Sequence, residues 1–163
     1  MSCNTKALAS LALAFLVCAP VHADVAGNVR VAKRVFLERM VTGLGQLDQI
    51  YAPNFVAHAA SRDYNLEQDN AATQSWRLAM PDLKVTVERT VAEHDLVAVH
   101  WRAVGTNTVA SGGMPGDGTR LGFEGMTLFR FVAGRIVEEW SVVDIATLRQ
   151  ELQPAAPAEH PGG

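Results

Sequence analysis

Asp144 could act as a base because it directly follows a mainly apolar row of side chains. Alternate residues of a strand share a face, so Asp144 lies in line with Glu138, Trp140 and Val142. If that face lines an apolar hollow, partial desolvation raises the pKa of the carboxyl group and makes it a stronger base at neutral pH. Aspartate is also a favoured helix N-cap. Capping alone and capping combined with catalysis both stay open.

A histidine and an arginine could assist this base. His58 lies in an apolar setting and could serve as an acid, a base or a ligand-orienting donor; the alternative is a satisfied core histidine. Arg130 shares a row with Met126 and Leu128 and could hold an enolate or Asp144 itself. Its alternative is an arginine that extends its charge into solvent on the outer sheet face. The side chains expected to contact a ligand are Tyr51, Phe55, Trp76, Met126, Leu128 and Trp140.

Neither a cofactor nor a metal is expected. The sequence has no His-x-x-x-His pair and no dense carboxylate cluster to supply three metal ligands. It also has no Gly-x-Ser-x-Gly elbow, and its glycine-rich stretch is not a Walker loop. Serine nucleophile chemistry and nucleotide binding are therefore disfavoured.

Helices and strands that would position these residues follow from the hydrophobic periodicity. Apolar residues at three- and four-residue steps predict a helix over 28–40 that ends at Gly43. A short helical stretch over 44–51, an extended segment over 54–59 and a helix over 65–80 follow.

Period-two alternation predicts the strands 83–88, 97–103, 120–132 and 135–143. The first two should pair through the polar turn at 93–95, and the last two through Ala133 and Gly134. Residues 105–118 contain five glycines and predict a mobile flap or lid, and a closing helix is predicted over 144–152.

Helices followed by a meander of strands and a closing helix predict an α+β domain, with helices packed on the concave face of a curved antiparallel sheet. Residues 24–152 have the usual size of one domain, and the proline- and alanine-rich segment 153–163 predicts a disordered tail.

The first 23 residues predict a signal peptide and export to the periplasm or the medium. Lys6 precedes an apolar run over 7–19, and small residues allow cleavage after Ala23. The run is shorter than the roughly 20 residues of a membrane-spanning helix. Lipidation at Cys18 is disfavoured because Val17 before it is bulky. Both cysteines lie in this segment, so the mature chain must rely on its core rather than on disulfides.

The balance of charged residues limits the classes of molecule that the protein is expected to bind. The chain has 14 basic and 17 acidic residues and no basic stripe, which argues against nucleic-acid binding. The mature chain has no second apolar run of membrane-spanning length, so a soluble protein that binds a small hydrophobic molecule is expected.

Four segments carry a recognisable family pattern over roughly residues 29–152. The residues that carry it are Tyr51, Pro53, Phe55, His58, Met80, Pro81, Asp82, Leu83, Val97, Val99, Trp101, Gly105, Thr106, Phe129, Arg130, Gly134, Arg135, Ile136, Val137, Glu138, Trp140 and Asp144. This pattern resembles the SnoaL-like polyketide cyclases, or ester cyclases, of the nuclear transport factor 2-like, ketosteroid-isomerase-like superfamily.

The resemblance implies a mechanism for Asp144. In the cyclases an aspartate after the tryptophan of the last strand removes a proton next to a carbonyl, and the enolate closes a ring by an intramolecular aldol reaction, without cofactor or metal. A histidine that assists in the cyclases is replaced here by Arg130, and the family's Gly-Thr-His ends here in Asn107. The resemblance also implies a homodimer formed through the open sheet face.

The expected function is that of an exported pocket protein of the general-base isomerase, cyclase, lyase or hydrolase type, acting on a small apolar carbonyl compound. The alternative is a non-catalytic carrier or binder of a small hydrophobic ligand, because this fold serves many activities.

Overall fold

A computed structural model of the protein describes residues 24–43, 47–59 and 62–144. The predicted signal peptide, the closing helix beyond Asp144 and the tail lie outside these residues. The helical elements are α1 (Val25–Arg34), a π-helical turn (Val35–Arg39), α2 (Met40–Thr42), a 3-10 turn (Leu47–Gln49) and α3 (Leu66–Ala79). The strands are β1 (Tyr51–His58), β2 (Asp63–Tyr64), β3 (Lys84–Glu93), β4 (Leu96–Asn107), β5 (Thr119–Val132) and β6 (Arg135–Val143).

Local capping fixes where the helices begin and end. α1 begins earlier than the periodicity predicts, because the Asp24 carboxylate caps it and accepts the Gly27 N–H at 2.8 Å. The first helical segment ends at Gly43 as predicted, where φ is +74°. α3 begins after Asn65, which forms a reciprocal capping box with Gln68. The predicted helix over 65–80 is thereby confirmed.

The six strands form one curved sheet in the order β2-β1-β6-β5-β4-β3. The predicted hairpins β3–β4 and β5–β6 are confirmed as antiparallel pairs, and Ala133 and Gly134 both have positive φ in the turn of the second. The sheet is mixed rather than wholly antiparallel, because β1 pairs with β6 in parallel. β1 is also longer than the predicted extended segment, with Pro53 lying in a register shift of that parallel pair.

The two faces of the sheet carry different residues. The inner face, against the helices, is formed in β4 and β5 by the buried residues Val97, Val99, Trp101, Ala103, Leu121, Phe123, Gly125, Thr127, Phe129 and Phe131. The π-helical turn covers this face, with the Phe36 ring stacked at 5.5 Å on Trp101. Gly125 leaves room for that indole, since a Cβ there would lie 2.6 Å from Trp101 Cζ2. We call the opposite, solvent side the outer face.

Asn107 anchors the glycine-rich segment that was predicted as a lid. Its buried side-chain amide donates to the carbonyls of Ala79 and Val109 at 3.1 Å each. Its Oδ1 accepts the Gly116 N–H at 2.7 Å. The segment is therefore tied at its base to the end of α3, and mobility elsewhere in it stays a prediction.

Candidate active site

An apolar hollow lies between the helices and the inner face. One cavity of about 150 Å³ has apolar walls formed by Val35, Phe36, Met40, Ala72, Trp76, Trp101, Phe123 and Val143. A second cavity, of about 300 Å³, reaches His58 and Tyr64 and shares Asp69, Glu139 and Ser141 with the first. Two carboxylates therefore lie where the cavities meet.

Arg39 places a buried positive charge in the wall of this hollow. The residue is 2% exposed, and its Nη2 donates to Asp69 Oδ2 at 2.6 Å. Its Nη1 donates to the hydroxyl of Tyr51 at 2.9 Å, and burial raises the pKa of that tyrosine well above its ordinary value. Among the described residues, Arg39 Nε has no hydrogen-bond acceptor. Asp69 and Tyr51 hold the guanidinium charge of Arg39 in the wall of the hollow.

Among the described residues, Glu139 is the carboxylate whose pKa is raised toward 7. Burial raises the pKa of its carboxyl group to about 7, and the negative charge of Asp69 acts in the same direction. Arg39 and a hydrogen bond from Ser141 oppose this rise. Its Oε2 is inaccessible to solvent and has no hydrogen-bond partner within the described part of the chain. A carboxyl group with a pKa of about 7 is suited to accept a proton at neutral pH.

A line of hydroxyl groups joins Glu139 to the floor of the hollow. The Ser141 hydroxyl donates to Glu139 Oε1 at 2.8 Å and lies 2.8 Å from the Thr127 hydroxyl. Trp101 Nε1 donates to that same Thr127 oxygen at 3.1 Å. These four side chains cross three neighbouring strands on the inner face.

Asp144 and Arg130 do not enter the hollow. The sequence left the orientation of these rows open: Thr127, Glu139 and Ser141 point inward, and their sequence neighbours, in the rows of Asp144 and Arg130, point outward. Asp144 is exposed and lines a groove on the outer face, and Arg130 donates through Nε to Glu138 there. Catalytic roles for Asp144 and Arg130 stay predictions.

His58 lies at the rim rather than beside the two carboxylates of the hollow. Its ring stacks on Trp140 with centroids 4.8 Å apart, and its Nδ1 lies 2.9 Å from Asp63 Oδ1. Its Nε2 lies 3.6 Å from Glu138 Oε1. The structure thus joins His58 to the side chain of Arg130 through Glu138, but not to Asp144 through any of these contacts.

Of the six predicted ligand contacts, Trp76 lines both cavities of the hollow. Tyr51 and Phe55 are buried, and their rings pack edge to face with centroids 4.7 Å apart. The Tyr51 hydroxyl group accepts a hydrogen bond from Arg39. Met126, Leu128 and Trp140 lie on the outer face, and Met126 and Trp140 are well exposed. Ligand contact by these residues stays a prediction.

Sequence reasoning missed Arg39, Asp69 and Glu139 as site residues. Asp69 and Trp76 are seven residues apart on α3, which places both on one helical face. Arg39 follows Phe36 by three residues, which places both on one face of the predicted helix over 28–40. These spacings could have indicated Arg39 and Asp69 from the sequence. The alternation of residues in β6 could not show that Glu139 points inward.

Two further findings concern the described residues alone. They contain no helix that is long and apolar enough to cross a membrane. Within the same ranges, no three His, Cys, Asp or Glu side chains cluster closely enough to hold a metal ion.

The comparisons with known proteins agree with this architecture. The profile of the SnoaL-like polyketide cyclase family matches residues 30–152, and the protein therefore belongs to that family. The predicted family and its nuclear transport factor 2-like α+β fold are confirmed. No curated protein matches the chain.

Solved structures of similar fold come from several bacteria. A candidate SnoaL-like polyketide cyclase from Jannaschia sp. CCS1 is 24% identical, with a TM-score of 0.72 over 85% of this chain and 97% of the other. AclR, a candidate hydroxylase from Streptomyces galilaeus, is 22% identical, with a TM-score of 0.72 over 80% and 100%. IdmH, a candidate polyketide cyclase from Streptomyces antibioticus, is 26% identical, with a TM-score of 0.67 over 77% and 97%.

Proposed function

We propose that the protein is an enzyme that removes a proton from a carbon next to a carbonyl, with Glu139 as the general base. The observation that carries this proposal is the half-buried Glu139, whose carboxyl group lies in the wall of an apolar hollow with its pKa raised to about 7. Such a group is partly ionised at neutral pH and gains basicity from its surroundings. Membership of the SnoaL-like family supports a cyclase- or isomerase-like reaction.

The reaction balances without an external reagent. The substrate C–H proton moves to the Glu139 carboxylate, and the electron pair of that bond moves onto the carbonyl oxygen as an enolate. Return of this proton from Glu139 to another carbon of a conjugated enolate completes an isomerisation. Attack of the enolate carbon on a second carbonyl of the same molecule forms a C–C bond instead, and the resulting alkoxide takes the proton back from Glu139. Arg39, which lines the same cavity, supplies a buried positive charge that stabilises the developing oxyanion.

The walls of the hollow favour a small, mostly apolar carbonyl compound. Phe36, Trp76, Trp101 and Phe123 give the inner cavity aromatic walls, which suit a ring or a short chain. The second cavity supplies room for the rest of the molecule beside Asp69 and Glu139. The reacting carbon is placed where the two cavities meet.

The proposal can be tested without knowing the natural substrate. A panel of small aromatic ketones and 1,3-diketones is incubated with the protein in D2O, and NMR follows exchange of the protons next to the carbonyl. We expect the wild-type protein to accelerate exchange of the compounds that it binds, and Glu139→Gln to remove that acceleration. Glu88→Gln is the matched control, because Glu88 is an exposed carboxylate of β3. Saturable binding without any exchange would contradict the proposal and favour the carrier alternative.

We further propose that a second copy of the chain covers the outer face. Val91, Met126 and Val142 are 71%, 55% and 74% exposed and line a groove of about 670 Å³ there. Apolar side chains clustered in this way support protein association.

Export remains part of the proposed function because of the sequence pattern of residues 1–23. N-terminal sequencing of the protein from a bacterial periplasm or culture medium tests it. A chain that begins at Asp24 supports cleavage after Ala23, and a chain with its N-terminus intact contradicts it.

A further inference from the structure

The two oxygens of the Glu139 carboxylate have different surroundings. Oε1 accepts the hydroxyl proton of Ser141, whereas Oε2 is buried and lacks a partner among the described residues. Oε2 has almost no accessible surface, so a guest in the hollow does not contact it in this arrangement. The hydrogen bond from Ser141 to Oε1 is therefore the contact that holds the carboxylate in place.

The hydrogen-bond line behind Ser141 has one consistent direction. The indole Nε1 of Trp101 can only donate, so it occupies an acceptor site of Thr127. Ser141 uses its single hydroxyl proton on Glu139, so the bond between the two hydroxyl groups must be donated by Thr127. Every donor in the line therefore points toward the carboxylate, and each bond polarises the next.

We propose that Ser141, aligned by Thr127 and Trp101, is the positioning residue that orients the Glu139 carboxylate for proton abstraction. The inference rests on the proposed function of Glu139 as the base. It assigns Ser141 no contact with substrate.

Three other charged or titratable groups act on Glu139 from the elements packed around it. Asp69 on α3 disfavours the ionised carboxylate, and Arg39 in the π-helical turn favours it. Tyr51 on β1 stays neutral, since burial raises its pKa above an already high ordinary value, and its hydroxyl group accepts a hydrogen bond from Arg39. Substitution of Ser141 or Thr127 leaves all three in place, so it isolates the contribution of the hydroxyl line.

The test measures the ionisation of Glu139 itself. The carboxyl carbons of 13C-labelled glutamate are titrated by NMR, and the Glu139 resonance is identified by its absence from Glu139→Gln. In Ser141→Ala the loss of a charge-assisted hydrogen bond should raise the pKa of Glu139 by about one unit. Ser141→Thr retains the hydroxyl group and is expected to keep the wild-type value.

A second pair of variants tests the next residue in the line. Thr127→Val keeps the shape of the buried side chain and should raise the same pKa by less than Ser141→Ala, whereas Thr127→Ser should leave it unchanged. The midpoint of the pH–rate profile for ketone proton exchange should move with the NMR value, and the plateau rate should fall.

The outcomes separate this inference from the proposed function. An unchanged Glu139 pKa in Ser141→Ala overturns the inference, even in an active enzyme. A pKa that shifts as expected without loss of plateau rate overturns the positioning role and leaves the base in place. If the wild-type protein catalyses no exchange at all, the proposed function fails, and the positioning role of Ser141 fails with it.

Discussion

The inner and outer faces of β6 put the same residue types to different use. Glu138 and Glu139 are neighbours, yet Arg130 lowers the pKa of Glu138 through a hydrogen bond on the outer face, whereas burial raises that of Glu139 to about 7. Glu138 is thereby held ionised, whereas Glu139 is partly protonated at neutral pH. The direction in which a side chain points decides its chemistry more than its residue type does.

The same contrast holds for the arginines of the two faces. Arg130 is about one-third exposed and pairs with one carboxylate, so solvent screens its charge. Arg39 is buried and is held by Asp69 and Tyr51, which leaves its charge unscreened in the wall of the hollow. Within the described residues, only the inner face combines a buried cation, a raised carboxyl pKa and an apolar cavity.

The largest expected effect sets Glu139 against Asp144. Glu139→Gln should lower the rate of ketone proton exchange by roughly 10²- to 10⁴-fold, the usual contribution of a general base. Asp144→Asn alters the outer face and should retain most of the rate, measured in the same NMR assay. A larger loss of rate in Asp144→Asn than in Glu139→Gln would identify Asp144 as the base and contradict the difference between the two faces.

Next in size is the loss of the buried cation. Arg39→Met leaves Asp69 without its partner in a largely buried site and should lower the free energy of unfolding by about 3 kcal/mol. Arg34→Met removes an exposed pair with Glu38 and should cost about 0.5 kcal/mol or less. Urea denaturation of both variants checks this, and equal losses would contradict the special position of Arg39.

The raised pKa of Glu139 also predicts how stability depends on pH. The carboxyl group titrates at about 7 in the folded protein against 4.5 as its ordinary value, so the unfolded chain gives up the proton first. The free energy of unfolding should therefore fall by up to about 3 kcal/mol as pH rises from 4.5 to 7 on account of this group.

Glu139→Gln should lack that contribution. Compared with wild type it should be more stable at pH 8 and gain little or nothing at pH 4, as judged by urea denaturation at each pH. A constant difference between the two proteins across this range would show that Glu139 titrates normally.

The smallest effect on folding is expected on the outer face. Val142→Lys places a charge in the exposed groove and should convert a dimer into monomers in sedimentation experiments, while the stability of the subunit changes by about 0.5 kcal/mol or less. Val132→Lys is the matched control, because this valine is 53% exposed on β5 but does not line the groove. A monomeric wild-type protein would overturn the proposed dimer.

Periodicity was sufficient to predict the elements but not which side of them faces the core. The spacing of apolar residues located α3 and the two hairpins, and Gly43 and Gly134 marked a helix end and a turn. Both rows of β6 mix apolar and charged residues, so period two alone gives no choice between Glu139 and Glu138 as the inward carboxylate. That choice is made by the helices, which cover one face only.

The residues of the site were harder to predict from the sequence, because they come from distant segments of the chain. Arg39 and Asp69 are 30 residues apart in the chain, and their contact depends on how α3 packs beside the π-helical turn. Asn107 was noted as a departure from the family pattern, and only the structure shows that it anchors the segment after β4.

The parallel pairing of β1 with β6 has a consequence for the folding kinetics. The hairpins β3–β4 and β5–β6 join neighbours in the chain, whereas β1 meets β6 across about 80 residues. Closing that long loop costs conformational entropy before β1 makes any stabilising contact. We therefore expect the meander of β3 to β6 to form early and β1 to join late. Tyr51 would then reach Arg39 only in the final, slow phase, and binding competence would appear with that phase.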